Sequence, residues 1–237
     1  MIWQLVANGC SYMDSYVQGK GHNDLAQRLG IQKSTSLAIG GSANTRIIRT
    51  TLKHSYITDQ PTFYVLGMTF LSRLEIPILE GMDTFEGRWT NPQNQQFQQY
   101  WQYGWHEVDT KQFVELKLKS EVYSILDRIE DLMYKLITMI SDLHSRGHRV
   151  LVFQQADTLY QQHLSDPRLS LFHSTPVFVH NYEWQAIQWQ HEQGVLPTNY
   201  PPGNVVPPPG MEHRKIGEHQ VLNQFLQDYI VKNKILE

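Results

Sequence analysis

The chain contains 237 residues, enough for one domain with insertions or for at most two small domains. Its 20 lysine and arginine residues against 23 aspartate and glutamate residues give a net charge of -3, which favours neither nucleic acid nor an acidic membrane as the main partner. The single cysteine, Cys10, excludes an internal disulfide and a zinc site built from several cysteines. We expect a cytoplasmic protein, because the opening residues lack the features of a signal peptide and no apolar run has membrane-spanning length.

Short apolar runs alternate along the chain with stretches of helical periodicity. In chain order, the pattern predicts a strand over residues 2–7, a helix over 22–29, a strand over 34–39, a helix over 44–56, a strand over 62–68, a helix over 122–143, strands over 149–154 and 176–180, and a helix over 221–230. Because strands and helices alternate, we predict an α/β fold with a mostly parallel, five-stranded sheet and helices on both of its faces.

Two stretches do not follow this alternation. Residues 76–115 are rich in glutamine, tryptophan and tyrosine, and residues 183–211 contain a proline-rich run. We interpret both as insertions within a single domain that covers residues 1–237. The aromatic residues of the first insertion form either a small satellite core or a groove in which rings stack on sugars. They are Trp89, Tyr100, Trp101, Tyr103 and Trp105.

Glycines and polar residues follow the predicted strands, where a parallel sheet binds its ligands. Asn8-Gly9-Cys10-Ser11 follows the first strand, residues 40–44 follow the second, and Gly67-Met68-Thr69 ends the third. Glu212-His213 precedes the last helix. These segments contain a serine, backbone N–H donors, a side-chain amide and a histidine, which are the groups that acyl transfer needs. A serine hydroxyl needs a base to take its proton, and the developing oxyanion needs fixed N–H donors.

These segments resemble the SGNH/GDSL hydrolase family, most closely its phage and bacterial members that open with a Gly-Cys-Ser motif. Gly9-Cys10-Ser11 is similar to the first block of the family, residues 40–44 to the second, and residues 211–226 to the last. The resemblance implies a flavodoxin-like, three-layer α/β/α sandwich. It also implies that Ser11 is the nucleophile and His213 the general base. The N–H groups of Ser11 and Gly41, with the Asn44 amide, would form the oxyanion hole.

The third block departs from the family pattern. It usually reads Gly-x-Asn-Asp, where this chain has Gly67-Met68-Thr69. The asparagine donor to the oxyanion is then either missing or replaced, and the Asn44 amide and the Thr69 hydroxyl are the two candidates to replace it. A simpler role for Asn44 is the N-cap of its own helix.

The last block departs as well. It usually reads Asp-x-x-His, where this chain has Gly210 three residues before His213. The base would then be oriented by Glu212, by Asp157 or by a backbone carbonyl. His219 is a rival base, because Gly-Glu-His at residues 217–219 resembles the Gly-His that often follows the catalytic histidine in the family.

Some of the candidate residues have simpler alternatives. Ser11 is also suited to cap the helix that follows it, with Asp14 three residues on. Arg73 either binds an anionic group of the substrate with its planar fork or forms a surface ion pair with a nearby glutamate. We expect Arg73, Thr69 and Tyr12 to contact the substrate.

We expect neither a metal nor a cofactor, because the histidines lack the spacing of a zinc site and no nucleotide-binding glycine motif is present. The expected function is hydrolysis of an ester, either an O-acetylated carbohydrate or another small acyl ester. An acyltransferase with the same serine and histidine is one alternative, and an inactive module that binds a glycan or a protein is the other. Neither nucleic acid nor a membrane is an expected partner, and the sequence does not determine the oligomeric state.

Overall fold

Strands and helices alternate in the computed structural model, which describes residues 3–9, 13, 20–39, 42–69, 75–77, 100–102, 125–154, 177–179 and 216–237. In chain order its elements are β1 (Gln4–Gly9), α1 (Gly21–Arg28), β2 (Lys33–Ser36), α2 (Asn44–Ile57), β3 (Thr62–Met68), β4 (Glu75–Pro77), β5 (Tyr100–Gln102), α3 (Ile125–Ser145), β6 (Arg149–Gln154), β7 (Phe178–Val179) and α4 (Ile216–Lys232).

Four of these strands, in the order β2-β1-β3-β6, form a parallel sheet. Gln4 of β1 lies beside Lys33 of β2 on one side and beside Thr62 of β3 on the other. The two-residue β7 pairs in parallel with β6, where the Val152 N–H donates to the Val177 carbonyl at 2.7 Å. The predicted α/β fold with a parallel sheet is therefore confirmed.

The inner strands are continuous apolar runs because they are buried along their whole length. Every residue of β1 and of β3 is buried, as is usual for parallel strands that are covered on both faces. Successive residues of β3 belong to two different core clusters, with Phe63 in the first and Tyr64 in the second. The first cluster also contains Leu25 and Ala26 of α1 and Phe225, Leu226 and Ile230 of α4. The second contains Ile47 and Ile48 of α2 and Ile129, Leu132, Met133, Leu136, Met139 and Leu143 of α3.

The carboxyl ends of β1 and β2 differ from the prediction. β1 continues through the Asn-Gly pair to Gly9, whereas the pattern predicted its end at Ala7. β2 ends at Ser36 instead of Ile39, although its backbone still follows β1 beyond that point. The N–H of Leu37 donates to the Ala7 carbonyl at 2.8 Å, and that of Ile39 donates to the Gly9 carbonyl at 3.3 Å. The segment after β2 is therefore attached to the end of β1.

Most of both insertions lies outside the described residues. Of the first insertion, the structure describes parts of β4 and β5, which form an antiparallel pair with Ile76 opposite Trp101. The proline-rich loop at 183–211 and the aromatic residues Trp89, Tyr103 and Trp105 lie outside the described residues. In the described ranges, no helix combines the length and the apolar character that crossing a membrane requires.

Helix α4 runs antiparallel to the strands of the sheet. Its middle is attached to α1, because the fully buried Asn223 amide donates to the Gly21 carbonyl and to the Asp24 carboxylate, both at 2.8 Å. The chain end that follows α4 reaches the start of β6, where Arg149 donates to the Glu237 carbonyl at 3.1 Å. The first turn of α4 therefore lies toward the carboxyl ends of the strands.

Two histidines lie close together where β3 and β6 begin, at the opposite end of the sheet. The Thr62 N–H donates to Nδ1 of the buried His148 at 3.2 Å. Nδ1 of His54 lies 2.9 Å from the Tyr64 hydroxyl, and the Tyr64 ring meets the His148 ring edge-on with centroids 5.7 Å apart. Burial is the largest cause that lowers the pKa of both histidines below 6.5.

Lowering the pH from about 7 to about 5 is expected to destabilise the protein. Burial also lowers the pKa of His22 and His144, so four histidines bind protons less readily in the folded protein than in the unfolded chain, where they titrate near 6.5. Their contribution to stability is complete above about pH 6.5 and is lost as the pH falls toward the lower pKa values of the folded state. Urea unfolding across this range measures the loss as a falling midpoint.

A substitution at His22 tests whether the buried histidines cause this pH dependence. Its side chain is 8% exposed, and its Nδ1 has no hydrogen-bond partner among the described residues. The variant His22→Leu removes one proton-binding group from this buried position, so its urea midpoint should vary less with pH than that of the wild type. A wild-type midpoint that stays constant or rises on acidification would show that the buried histidines do not govern the pH dependence.

Candidate functional site

The carboxyl ends of β1 and β3 lie side by side where the order of the strands reverses. After β1 the chain passes to β2 on one side and then to β3 on the other, and Gly9 pairs with Gly67. The crevice beyond such a reversal is where open parallel sheets bind their ligands. The segment with Ser11 continues the chain from β1, and Thr69 follows β3, so the candidate site is built on these two strand ends.

Gly9 packs too closely against its neighbours to carry a side chain. A Cβ atom at this position would lie 2.3 Å from Met13 Cγ, 2.7 Å from Met13 Cβ and 2.8 Å from the Gly67 carbonyl oxygen. Met13 is itself almost fully buried, at 1% exposure. Gly9, the first residue of the Gly-Cys-Ser motif, is therefore packed directly against the backbone of β3 on one side and against Met13 on the other.

Asn8 attaches the end of β1 to helix α2. Its Nδ2 lies 3.0 Å from the Ile47 carbonyl and 2.9 Å from each of the Thr50 and Thr51 hydroxyls, so its two hydrogens are shared among three acceptors. Its Oδ1 accepts the Gly9 N–H at 2.9 Å. Asn8 is fully buried, so these hydrogen bonds have no competition from water and hold the end of β1 rigidly.

Asn44 joins the start of α2 to the residue that follows β3. Its Nδ2 donates to the Thr69 carbonyl at 3.1 Å, and its Oδ1 accepts the Thr69 N–H at 2.7 Å. The N-cap of α2 is Ala43, so the N-cap role considered for Asn44 is wrong. Because Nδ2 carries two hydrogens, the second has no acceptor among the described residues. The structure therefore brings together two of the predicted site residues, Asn44 and Thr69.

Arg46 attaches the segment after β2 to the same helix. Its Nη1 donates to Ser42 Oγ at 2.9 Å and makes a longer contact of 3.4 Å with the Leu37 carbonyl. Ser42 donates twice to the Ile39 carbonyl, from Oγ at 2.7 Å and from its N–H at 3.2 Å. Arg46 is 4% exposed and Ser42 is fully buried, so this junction lies within the protein.

The other candidate residues of the site lie outside the described residues. They are Ser11, Tyr12, Gly41, Arg73, Asp157, Glu212 and His213. His219 lies in the first turn of α4, one turn before Asn223, and its side chain is outside the described part. This turn belongs to the end of α4 that lies toward the carboxyl ends of the strands.

Sequence reasoning did not predict the roles of Asn8 and Arg46. Both interrupt an apolar pattern, Asn8 at the end of a buried strand and Arg46 beside Ile47 on the first turn of a helix. A polar residue at a core position usually has hydrogen-bond partners, and this was the available signal. The partners themselves lie far away in sequence for Asn8, at residues 47–51.

Among the described residues, no group of three or more histidine, cysteine, aspartate and glutamate side chains could hold a metal ion. Neither the models of known protein families nor the curated proteins give a match to this chain.

Proposed function

We propose that the chain is a serine ester hydrolase of the SGNH/GDSL type, with the five-stranded, three-layer α/β/α arrangement of that family. One observation carries the proposal: β1 ends, at the reversal of strand order, in a glycine that has no room for a Cβ, and Ser11 follows two residues later. A nucleophile at the edge of a parallel sheet has to be held in a fixed position just after its strand. Close packing at the strand end serves this purpose, whereas a freely mobile loop would not need such packing.

In the proposed reaction, Ser11 Oγ attacks the acyl carbon while His213 takes the hydroxyl proton. The C–O bond to the alcohol then breaks, and His213 returns the proton to the departing oxygen. A water molecule, deprotonated by the same histidine, attacks the acyl-enzyme and releases the acid and the free serine. The N–H groups of Ser11 and Gly41, with the remaining Nδ2 hydrogen of Asn44, hold the oxyanion.

The fixed position of Asn44 supports its proposed role. An oxyanion donor lowers the barrier only if it does not have to reorient during the reaction. The paired hydrogen bonds with the Thr69 backbone hold the Asn44 amide plane and leave one N–H without an acceptor among the described residues. In this proposal Asn44 replaces the third-block asparagine of the family, and Thr69 contributes by orienting it.

The direction of α4 supports a base from the end of the chain. His213 precedes Ile216, the first residue of α4, by three positions, and this end of the helix lies toward the carboxyl ends of the strands. His219 is in the first turn of the same helix and stays the rival base. Glu212 or Asp157 would orient the imidazole.

The proposed substrate is an O-acetylated carbohydrate or another small acyl ester. This choice rests on the family resemblance and on the aromatic residues of the 76–115 insertion, which suit sugar rings. Arg73 and Tyr12 follow the third and first strands in the chain and are proposed to contact the alcohol part of the substrate.

A fluorophosphonate that labels activated serines tests the proposal. We expect the wild-type protein to gain one covalent adduct, located by mass spectrometry on the peptide that contains Ser11, because only an activated hydroxyl attacks the phosphorus. The variant Ser145→Ala is a matched control, since Ser145 is exposed on the last turn of α3 and its hydroxyl donates to the Asp142 carbonyl of the same helix. It should be labelled like the wild type.

Other outcomes separate the alternatives. A protein that is neither labelled nor able to hydrolyse p-nitrophenyl acetate would be a binding module of the same fold, and the proposal would be wrong. A labelled protein that passes the acetyl group to an added sugar in preference to water would be an acyltransferase.

A further inference from the structure

Asn8 and Gly9 form the only Asn-Gly pair in the sequence. This pair is chemically reactive in a flexible chain, because the backbone nitrogen of the glycine can attack the side-chain carbonyl carbon of the asparagine and expel the amide nitrogen as ammonia. Glycine favours the ring closure, since it has no side chain to hinder the nitrogen and leaves the backbone free to turn. The Asn8 amide is therefore open to loss whenever this part of the chain is flexible.

The folded protein requires both residues of the pair. Nδ2 of Asn8 lies within 3.0 Å of three acceptors on α2, so a side chain without these two hydrogens would leave the acceptors unsatisfied. Gly9 has no room for a Cβ atom, which would lie 2.8 Å from the Gly67 carbonyl oxygen. A substitution that removed the reactivity of the pair would therefore also damage the end of β1.

The same contacts block the reaction in the folded protein. The Gly9 N–H donates to Asn8 Oδ1 at 2.9 Å, whereas the attack needs a deprotonated nitrogen that faces the carbon Cγ. The acceptors of the Asn8 amide on α2 are a backbone carbonyl and two hydroxyls, which do not take up a proton near neutral pH. Asn8 is fully buried, and β1 lies between β2 and β3, so water reaches the pair only when the centre of the sheet opens.

We propose that Asn8-Gly9 is a modification site that is protected in the folded protein, reacts when β1 unfolds, and then prevents the chain from refolding. In the reaction, the Gly9 nitrogen gives its proton to hydroxide and bonds to Asn8 Cγ. The Cγ–Nδ2 bond breaks, and the nitrogen leaves as ammonia with a proton from water, which regenerates the hydroxide. Water then opens the cyclic imide, at Cγ to give aspartate or at the main-chain carbonyl carbon to give isoaspartate. This inference does not depend on the proposed ester hydrolysis.

Neither product fits the position of Asn8. In aspartate, a carboxylate oxygen would replace Nδ2 and would face the Ile47 carbonyl oxygen at the distance where a hydrogen bond now lies, 3.0 Å. The buried charge would add a further penalty. Isoaspartate lengthens the main chain by one carbon and would shift the pairing of Gly9 with Gly67. A long-lived unfolded state would therefore become irreversible through this reaction.

The test follows the conversion of the peptide that contains residues 8 and 9 by mass spectrometry at mildly alkaline pH. We expect conversion in the folded wild type to be at least about 10³-fold slower than in urea, because only the small unfolded fraction reacts. In urea, Gly9→Ala should react more slowly than the wild type. Both chains are unfolded there, so this comparison tests ring closure alone.

Core variants that leave the pair intact test the dependence on unfolding. Leu136→Ala, at a fully buried position in α3, should speed conversion in buffer about 100-fold by raising the unfolded fraction. Ile129→Val, a milder change in the same core cluster, should speed it by about tenfold or less. Ile57→Ala is the matched control, because Ile57 is 76% exposed, and it should match the wild type. A Leu136→Ala protein that does not fold should react in buffer as fast as in urea.

Each part of the inference has an outcome that would overturn it. Equal conversion of the wild type in buffer and in urea would show that the fold does not protect the pair, and no conversion in urea would show that the pair is not reactive. Equal rates in Leu136→Ala and Ile57→Ala would exclude unfolding as the controlling step. Asn8→Asp, which is one of the two products, should have a lower urea midpoint than the wild type. Converted chains that refold with the wild-type midpoint would contradict the loss of refolding.

Discussion

Replacing Ser11 with alanine is expected to lower kcat/KM for p-nitrophenyl acetate by at least about 10³-fold. The methyl group cannot form the acyl-enzyme, so the reaction has to proceed by direct attack of water. The oxyanion donors and the bound substrate then provide whatever acceleration remains. Stopped or continuous absorbance measurements of released p-nitrophenolate, with the variant purified separately from any wild-type enzyme, measure this difference.

Cys10 provides the control for the choice of nucleophile. It is adjacent to Ser11, and a thiol is also able to attack an activated ester. We expect Cys10→Ala to retain activity within a few-fold of the wild type and Ser11→Ala to lose it. The reverse result would identify a cysteine hydrolase, and full activity in both variants would refute covalent catalysis by Cys10 or Ser11.

The framework of the fold could be predicted from the sequence because it depends on local apolar patterns. β3 begins and ends as predicted, at Thr62 and Met68, because Pro61 precedes it and an unbroken apolar run fills it. The end of β1 could not be predicted in the same way. Asn8-Gly9 has the composition of a turn, but Gly9 stays in the strand because it pairs with Gly67, a partner that no local pattern indicates.

The juxtaposition of the carboxyl ends of β1 and β3 was predictable, and the contacts at these ends were not. Strand order places the ends of β1 and β3 together, as expected for any parallel α/β sheet with this reversal. Asn44 was recognised as a candidate from its neighbours in the sequence. Its bonds to Thr69 span 25 residues, and they depend on the packing of α2 against the sheet.

The roles of Asn8 and Arg46 were missed for the same physical reason. A single sequence shows that a residue is polar, but a buried hydrogen bond depends on which groups the fold brings within about 3 Å. Asn8 shares two hydrogens among acceptors from α2, and Arg46 reaches back to the segment before its own helix. Polar residues within apolar runs are therefore the positions where the fold adds most to sequence analysis.

Replacing Gly9 with alanine is expected to lower the free energy of unfolding by about 3 kcal/mol or more, at the upper end of the range for an overpacked core. The added methyl group would lie 2.8 Å from the Gly67 carbonyl oxygen, which belongs to the backbone of β3 and cannot rotate away. β1 and β3 would have to separate at the end where they carry the candidate site. Urea unfolding at about pH 7.5 measures the loss, and at this pH the histidines add little to it.

Gly30 is the matched control for this substitution. A Cβ atom there would meet nothing within 4 Å, but the residue has a φ of +70°, so alanine should cost about 1 kcal/mol through backbone strain alone. A loss at Gly9 no larger than the loss at Gly30 would show that the crowding at β1 is easily relieved.

The double variant Gly9→Ala/Met13→Ala separates the two sources of crowding. Met13→Ala removes the Cγ atom that would lie 2.3 Å from the new methyl group, so the two substitutions should destabilise by less than the sum of their separate effects. Met13 Cβ, at 2.7 Å, and the Gly67 carbonyl oxygen, at 2.8 Å, stay in place, and the relief should therefore be partial. Additive losses would mean that Gly9 is required by the pairing of β1 with β3 and not by its contact with Met13, and the proposal that the chain is held in place between β1 and Ser11 would lose its support.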